Sequence, residues 1–366
     1  MAVAAIATRI EKLDLKIAAH KTEALWIHGL PKSKKPPLTW LTIQSERVQV
    51  KEELKYLGLT LDGRLTFDKH FDRLTPKVEG VAASLGRLLP NIGGPNDRVR
   101  RLYAGIINSM MLYGSPCWSL YITEHTKKIM RRLQRRMAIR IIRGYRTISY
   151  DAAITIAGLI PYDMNANTDR ATFQYVRNLR ASGYEIPRTA VNKLRSQALK
   201  GAWEQRRTEI AASGSANKKG IKEILKVWDT WGEKGVSSLT YRITQVLSGH
   251  GCLGEYLYKI GAETHPGCHE CGAPIDSIKH VVESCPRFGL QRLTLETILE
   301  QPVTTEAITN ALVGNANQRS AASSFCEQII KIKEEGERGR ERGILHRRAR
   351  RERRVRTRRE RLNTTT

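Results

Sequence analysis

Residues 268–285, CHECGAPIDSIKHVVESC, bring three thiols and two imidazoles into 18 positions. Two residues separate Cys268 from Cys271, eight more precede His280, and four more precede Cys285. Thiolates two residues apart on a tight turn, with two further ligands on the next element, are the donor set of a structural zinc site. Four protein ligands close the tetrahedron and leave no position open for a substrate. Gly272 and Pro274 let the chain turn after the first pair. The second pair is expected on a short helix from Ile278, with Val281 and Val282 packing beneath it. Disulfides and buried unligated thiols are the competing readings; nothing here suggests secretion, and reducing compartments favour metal. Such a zinc would fold the segment and perform no chemistry, which argues against an independent metallohydrolase. His265 and His269 are alternative ligands with poorer spacing than His280. Cys117, Cys252 and Cys326 are expected as small buried apolar residues, with Cys252, near His250, a weaker candidate for the metal.

The second chemistry is electrostatic. Lys and Arg number 62 against 36 Asp and Glu, a net charge of +26 over 366 residues, which implies a polyanionic partner. Residues 337–361 hold 13 Arg and four Glu, so the tail supplies +9 and the remainder of the chain is basic as well. A helix is expected from about residue 123 to 143, with Met130, Leu133, Met137 and Ile141 toward the core. Lys128, Arg131, Arg132, Arg135, Arg136 and Arg140 crowd its other surface, with no acid between Glu124 and Asp151. A solvated face is the plain reading; the density of cations favours contact with a phosphate backbone. Arg347, Arg348, Arg350 and Arg351 of the tail are assigned the same role. Charge alone carries no base readout.

The elements that must hold these residues point to an α+β fold, mostly helical. Residues 1–62 read as an amphipathic helix, with Ile6, Ile10, Leu13 and Ile17 on one face, followed by a small antiparallel sheet from ALWIHG, LTWLTIQSERVQV and LKYLGLTLD. Helices follow from residue 67: one capped by Asn96 or Asp97 and ending near Gly114-Ser115-Pro116, and others broken at Pro161 and Pro187. AASGSANKKG, 211–220, is a linker. A further module spans 221–332, and the Arg-rich end, 333–366, is expected to be disordered or helical only on a partner. No stretch reaches the roughly 20 apolar residues needed to span a bilayer, and the charged N-terminal segment is a poor signal peptide. An intracellular location, nuclear or in a cytoplasmic ribonucleoprotein, and no membrane partner are expected.

Several stretches together resemble the C-terminal part of the reverse transcriptase polyprotein of insect non-LTR retrotransposons, of the kind that inserts into ribosomal RNA genes. LDLKIAAHKTEAL is similar to the end of the polymerase palm, and LKYLGLTLDGRLTFDKHF to the hairpin that grips the primer. RRLYAGIINSMMLYGSPCW resembles the opening of the thumb, and TISYDAAITIAGLIPYDMNA the region after it. LSGHGCLGEYLYKIG and the Cys/His segment with CPRF look like the family's C-terminal module. The resemblance covers about residues 1–332.

It implies a palm remnant at 1–66 with the primer-grip hairpin, a helical thumb and connection at 67–210, the linker, a zinc-knuckle module at 221–332 and a basic tail. Lys21 matches the lysine of the family's Lys-Thr-Glu signature, near the incoming triphosphate, or is a surface lysine closing a strand. Gly58 of the hairpin would let backbone approach the primer. Tyr56 and Leu57 are read first as strand core, with primer contact the alternative. The family's catalytic carboxylates, an aspartate on a strand and a Phe/Tyr-Ala-Asp-Asp turn, have no match in these residues. Magnesium would therefore be held only by a full-length parent. The expected role is binding of RNA and DNA through phosphates, in a retrotransposon ribonucleoprotein, without polymerisation by this chain alone. An independent or domesticated zinc-containing nucleic-acid-binding protein is the alternative.

Overall fold

The computed structural model describes residues 2–28, 39–43, 46–214, 221–232 and 234–363, the side chains of 2–4, 19, 236, 238 and 343–363 excepted. Helices dominate. In chain order they are α1 (Ala2–Glu11), α2 (Asp68–Gly86), α3 (Asp97–Met111), α4 (Ser115–Trp118), α5 (Glu124–Ile141), α6 (Tyr150–Ile156), α7 (Tyr162–Ala181) and α8 (Arg188–Ala212). There follow α9 (Ile221–Lys226), α10 (Trp228–Trp231), α11 (Tyr241–Ser248), α12 (Gly254–Lys259), α13 (Ile278–Glu283), α14 (Gly289–Leu299), α15 (Thr305–Val313) and α16 (Ala316–Asn363). The strands, β1 (Ala24–Leu25), β2 (Trp40–Ile43), β3 (Glu46–Lys51), β4 (Glu53–Tyr56) and β5 (Leu59–Asp62), all precede α2. The chain folds as two compact units, Met1–Leu85 with Tyr103–Gln134 and Ile160–Glu204, and Gly86–Leu102 with Arg135–Leu159 and Gln205–Thr366.

In the first unit the strands form two small sheets. β3 is central to one, antiparallel to β2 and parallel to β1, while β4 and β5 make a separate hairpin. The single antiparallel sheet expected from sequence is thus corrected: the two-residue β1 runs alongside β3, and the hairpin pairs only with itself. Leu57 and Gly58 form its two-residue turn, both with positive φ, 45° and 86°, as a turn matching strand twist requires. That geometry puts Tyr56 and Leu57 at the tip, 60% and 74% exposed. The strand-core reading of these two residues is therefore wrong. Tyr113 Oη donates to Leu57 O at 2.9 Å and its ring lies against Gly58. The buried carboxylate of Asp62 accepts from the backbone of Arg64, Thr66 and Phe67, turning the chain from β5 into α2. Behind this, Phe71 meets the fully buried Trp118 edge to face at 5.0 Å.

Helix α1 stops at Glu11, closed by Asp14 at φ 54°, and Ile6 and Leu13 are exposed. The amphipathic stripe expected over residues 1–20 is not packed as such. The remaining punctuation follows the sequence: Asn96 Oδ1 accepts from Val99 N, Thr123 Oγ1 accepts from Thr126 N at the start of α5, and Pro161 and Pro187 sit just before α7 and α8. Lys21 is exposed on a 3-10 turn before β1. LPKSKKPP, residues 30–37, and residues 215–220 of the expected linker lie outside the described residues; 211 and 212 complete α8.

In the second unit α16 packs against α11, α14 and α15. Ala322, Phe325, Cys326, Ile329 and Ile330 are buried at helical spacing, and Lys333 and Glu334 continue the same stripe, also buried. Each charge is matched. Lys333 Nζ lies 2.7 Å from Asp276 Oδ2, which also accepts from Gly254 N at 2.8 Å. Glu334 accepts from Arg242 Nε and Nη2 at 3.0 and 2.8 Å and from Gln245 Nε2 at 2.9 Å. The tail from residue 333, expected to be disordered or helical only on a partner, has a helical backbone to Asn363. Arg and Glu are good helix formers, and spaced pairs such as Arg338–Glu334 and Arg340–Glu337 add to them.

Removing one partner of a buried pair strands the other charge. Asp276→Leu is expected to lower the unfolding free energy by about 3–5 kcal/mol, read from urea denaturation, whereas the double replacement Asp276→Leu with Lys333→Met should recover most of that loss.

Candidate metal centre and basic surfaces

Tight turning brings the four sequence-selected ligands together. Sγ of Cys268, Cys271 and Cys285 and a ring nitrogen of His280 all lie within 4.8 Å of one another. Cys268 Sγ is 4.0 Å from Cys285 Sγ, and Cys271 Sγ is 3.2 Å from His280 Nε2. A zinc tetrahedron with Zn–S bonds of ~2.3 Å has S···S edges of about 3.8 Å, so the donor set fits such an ion. All six cysteines are free.

Local sequence explains the geometry. Gly272, at φ 76°, closes the first turn with its N–H on Cys268 O at 2.8 Å, and Cys268 N donates to Ala273 O. Ser277 caps α13, its Oγ accepting from His280 N at 3.2 Å. That fixes the start of the helix as expected, with Val281 and Val282 fully buried beneath. Ser284 Oγ lies 3.2 Å from His280 Nδ1. With Nε2 toward the thiols, Nδ1–H donates to that hydroxyl, the outer contact that orients a ligating imidazole. Arg292 donates to Val282 O and Cys285 O at 2.8 and 2.9 Å, pinning the chain at the last ligand.

The electrostatics are mixed. Burial pushes the Cys268 thiol up to about 12 and raises Cys285, while the Ala273 N–H holds exposed Cys271 below its ordinary value. A cation would supply what burial withholds from the first two, since metal binding deprotonates its thiols.

The neighbouring candidates do other work. His269 pairs with Glu263 at 3.1 Å, His265 Nδ1 accepts from Gly267 N, and the His250 ring packs at a tilt against Tyr256, centroids 4.8 Å apart. Cys252 stands outside the cluster and Cys326 is fully buried. Cys117 is exposed, against the expectation of burial, because it follows Pro116 on the open side of the one-turn α4. Sequence reasoning missed Asp276, Ser284 and Arg292. Only Ser277, three residues before His280, carried a readable capping signal.

Met130, Leu133, Met137 and Ile141 of α5 are buried as expected. Lys128, Arg131 and Arg132, in the first unit, and Arg136 and Arg140, in the second, are exposed. Arg135 is different: Nε donates to Ile148 O at 2.7 Å and Nη2 to Arg146 O, so it braces the following loop. In the second unit the Arg100 guanidinium is buried and donates to Pro90 O, Pro95 O and Arg140 O. Burial first, then Arg143 and Arg140, bring its pKa down to about 10. The side chains of Arg347, Arg348, Arg350 and Arg351 lie outside the described residues; their backbone belongs to α16. No helix among the described residues is long and apolar enough to cross a membrane.

A mostly helical protein with a Cys3His cluster and basic helices matches no family model and no solved structure. Curated proteins do match. The chain is 23% identical over 290 residues to the Retrovirus-related Pol polyprotein from type-1 retrotransposable element R1 of Bradysia coprophila, covering 76% of this chain and 28% of that protein. It is 23% identical over 307 residues to the corresponding polyprotein from element R1 4 of Nasonia vitripennis, covering 80% and 75%. A putative 115 kDa protein in type-1 retrotransposable element R1DM of Drosophila melanogaster is 26% identical over 277 residues, covering 67% and 26%. The chain thus spans about a quarter of the length of two of these relatives and three-quarters of the other. The resemblance read from the motifs holds: the chain is similar to Pol polyproteins of R1 retrotransposable elements.

With metal bound, Cys271 is expected to resist maleimide although exposed, and to react once a chelator is added. Exposed Cys117 provides the control and should react in both states, read by mass spectrometry of labelled peptides. Equal labelling of Cys271 with and without chelator would remove it from the ligand set.

Proposed function

We propose that this chain is the nucleic-acid-holding part of a retrotransposon reverse transcriptase: a palm remnant at 1–66, a helical thumb and connection at 67–210, and a zinc-bearing module from 221 that leads into the Arg-rich helix. The observation that carries the reading is the coincidence of Pol relatives along most of the chain with a net charge of +26. Phosphates are the ligands such a charge attracts, and counterion release is the driving force. Exposed Lys128, Arg131, Arg132, Arg136 and Arg140 and the cations of the tail are the contacts; Arg135, occupied by backbone carbonyls, is the least suited of the set. The hairpin tip at Tyr56 and Leu57 is exposed toward a primer strand, while Tyr113 already covers the Gly58 backbone. Lys21, also exposed, is open to a triphosphate.

Cys268, Cys271, His280 and Cys285 hold Zn2+, whose role is to fold the knuckle. In a parent polyprotein these parts would grip the RNA template and DNA target, in the nucleus or in a ribonucleoprotein, while Mg2+-bearing aspartates copy one into the other. Residues 1–366 contain no Phe/Tyr-Ala-Asp-Asp sequence, so this polypeptide by itself binds without polymerising.

Purified protein should carry about one zinc per chain, and a folded knuckle devoid of metal would contradict that assignment. Affinity for a mixed-sequence RNA or DNA should fall steeply between 50 and 200 mM salt, by roughly 10³-fold for six phosphate contacts; a flat response would rule out phosphate binding. Primer extension with magnesium should yield no product, and template-dependent synthesis by homogeneous protein would overturn the catalytic part of the reading.

A further inference from the structure

The second half of α7 is largely exposed and carries large apolar side chains. Its packed side is marked by the buried Thr168 and Thr172. On the side turned away, Phe173, Arg177 and Arg180 follow one another at spacings of four and three, which places them in one stripe. Phe173 is 52% exposed, and both arginines are exposed without an acidic partner among the described residues. The helix ends at Ala181; Gly183 takes φ 85° and Tyr184 N donates to Leu179 O at 3.1 Å. This closure folds the backbone of Tyr184, 64% exposed, back onto the last turn of the helix, four residues after Arg180 in sequence. The order is aromatic, cation, cation, aromatic. From Arg170 to Lys200 the chain has seven cations and a single acid, Glu185. Arg195 is committed to Asp169 at 2.9 Å and Arg170 to Gln174 at 3.1 Å, which leaves the stripe's own arginines and Arg188, Lys193 and Lys200 for a ligand.

We infer that the Phe173–Arg177–Arg180–Tyr184 stripe is a binding surface for single-stranded nucleic acid, with the two rings stacking on bases and the two arginines on the intervening phosphates. The inference rests on the polyanion-binding function proposed above and specifies one surface and one form of ligand. Exposed rings flanking arginines fit unpaired bases, whose faces are open for stacking. A duplex hides those faces and offers phosphates alone. The positive charge excludes an acid-poor apolar partner as the first choice, because docking one would bury the guanidinium groups unpaired.

The test uses the full chain with three probes of similar charge: a 20-nucleotide oligo(U), a mixed duplex of about 10 base pairs and inorganic polyphosphate of about 20 phosphates. Phe173→Leu with Tyr184→Leu keeps apolar bulk and removes both rings. It should weaken oligo(U) binding by about tenfold or more while moving duplex and polyphosphate affinity less than twofold. Arg177→Gln with Arg180→Gln should weaken all three and flatten the salt dependence of oligo(U) binding, by about one to two in the log–log slope. An unchanged oligo(U) affinity in the Leu variant, with wild-type binding intact and helical circular dichroism preserved, overturns the stripe alone. Equal losses on oligo(U) and polyphosphate in the Leu variant overturn it too, since rings do not stack on phosphate. Wild-type protein that binds none of the probes defeats both this inference and the function on which it rests.

Discussion

The second unit depends on the buried ion pair between Lys333 and Asp276. Asp276 lies between the two halves of the Cys/His segment, five residues after Cys271 and four before His280. Its carboxylate holds Lys333 of α16 and the N–H of Gly254 at the start of α12. The carbonyl of Pro266 and the N–H of Glu255 meet its backbone. One residue therefore fixes the knuckle loop, the helix before it and the long helix after it. Because water is excluded on both sides, the pair is held only while all three stay in place, and its loss would leave a charge uncompensated.

Glu334 extends the same logic one residue further. Its carboxylate receives the Arg242 fork and the Gln245 amide, so α11 is bound to α16 by directional contacts as well as by the apolar stripe of Phe325, Ile329 and Ile330. Glu327 adds a second carboxylate to Arg242 at 2.9 Å. At the knuckle's edge, Glu263 faces both His269 and Arg340, and Glu270 faces Arg287. The helix that leads into the Arg-rich end is thus seated by a graded series of contacts, apolar first, then buried ionic, then exposed ionic. Only the last kind is weakened much by salt.

Two readings of individual residues changed for related reasons. Tyr56 and Leu57 look like strand core because both are apolar and follow a strand pattern, yet the two-residue turn takes Leu57 itself, and the turn tip faces solvent. Lys333 and Glu334 look like the start of a solvated tail because both are charged, yet they occupy the buried positions of a helical stripe. In each case residue type was legible and environment was not. Hydropathy assigns a side chain to a phase; the partner across the fold decides whether that assignment stands.

The sequence by itself determined the candidate Cys3His set, the short helix from Ile278, a cap at Asn96 or Asp97, the buried stripe of α5 and the predominance of helix. These follow from short-range spacing, from proline and glycine geometry and from periodicity, all confined to a few consecutive residues. The similarity to R1 retrotransposon proteins was legible in the order of its motifs. Tertiary structure alone decided that Arg135 braces a loop while the other cations of α5 are exposed, and that Asp276 anchors α16. Those outcomes depend on which distant groups arrive next to a side chain, and local pattern does not encode the identity of a neighbour a hundred residues away.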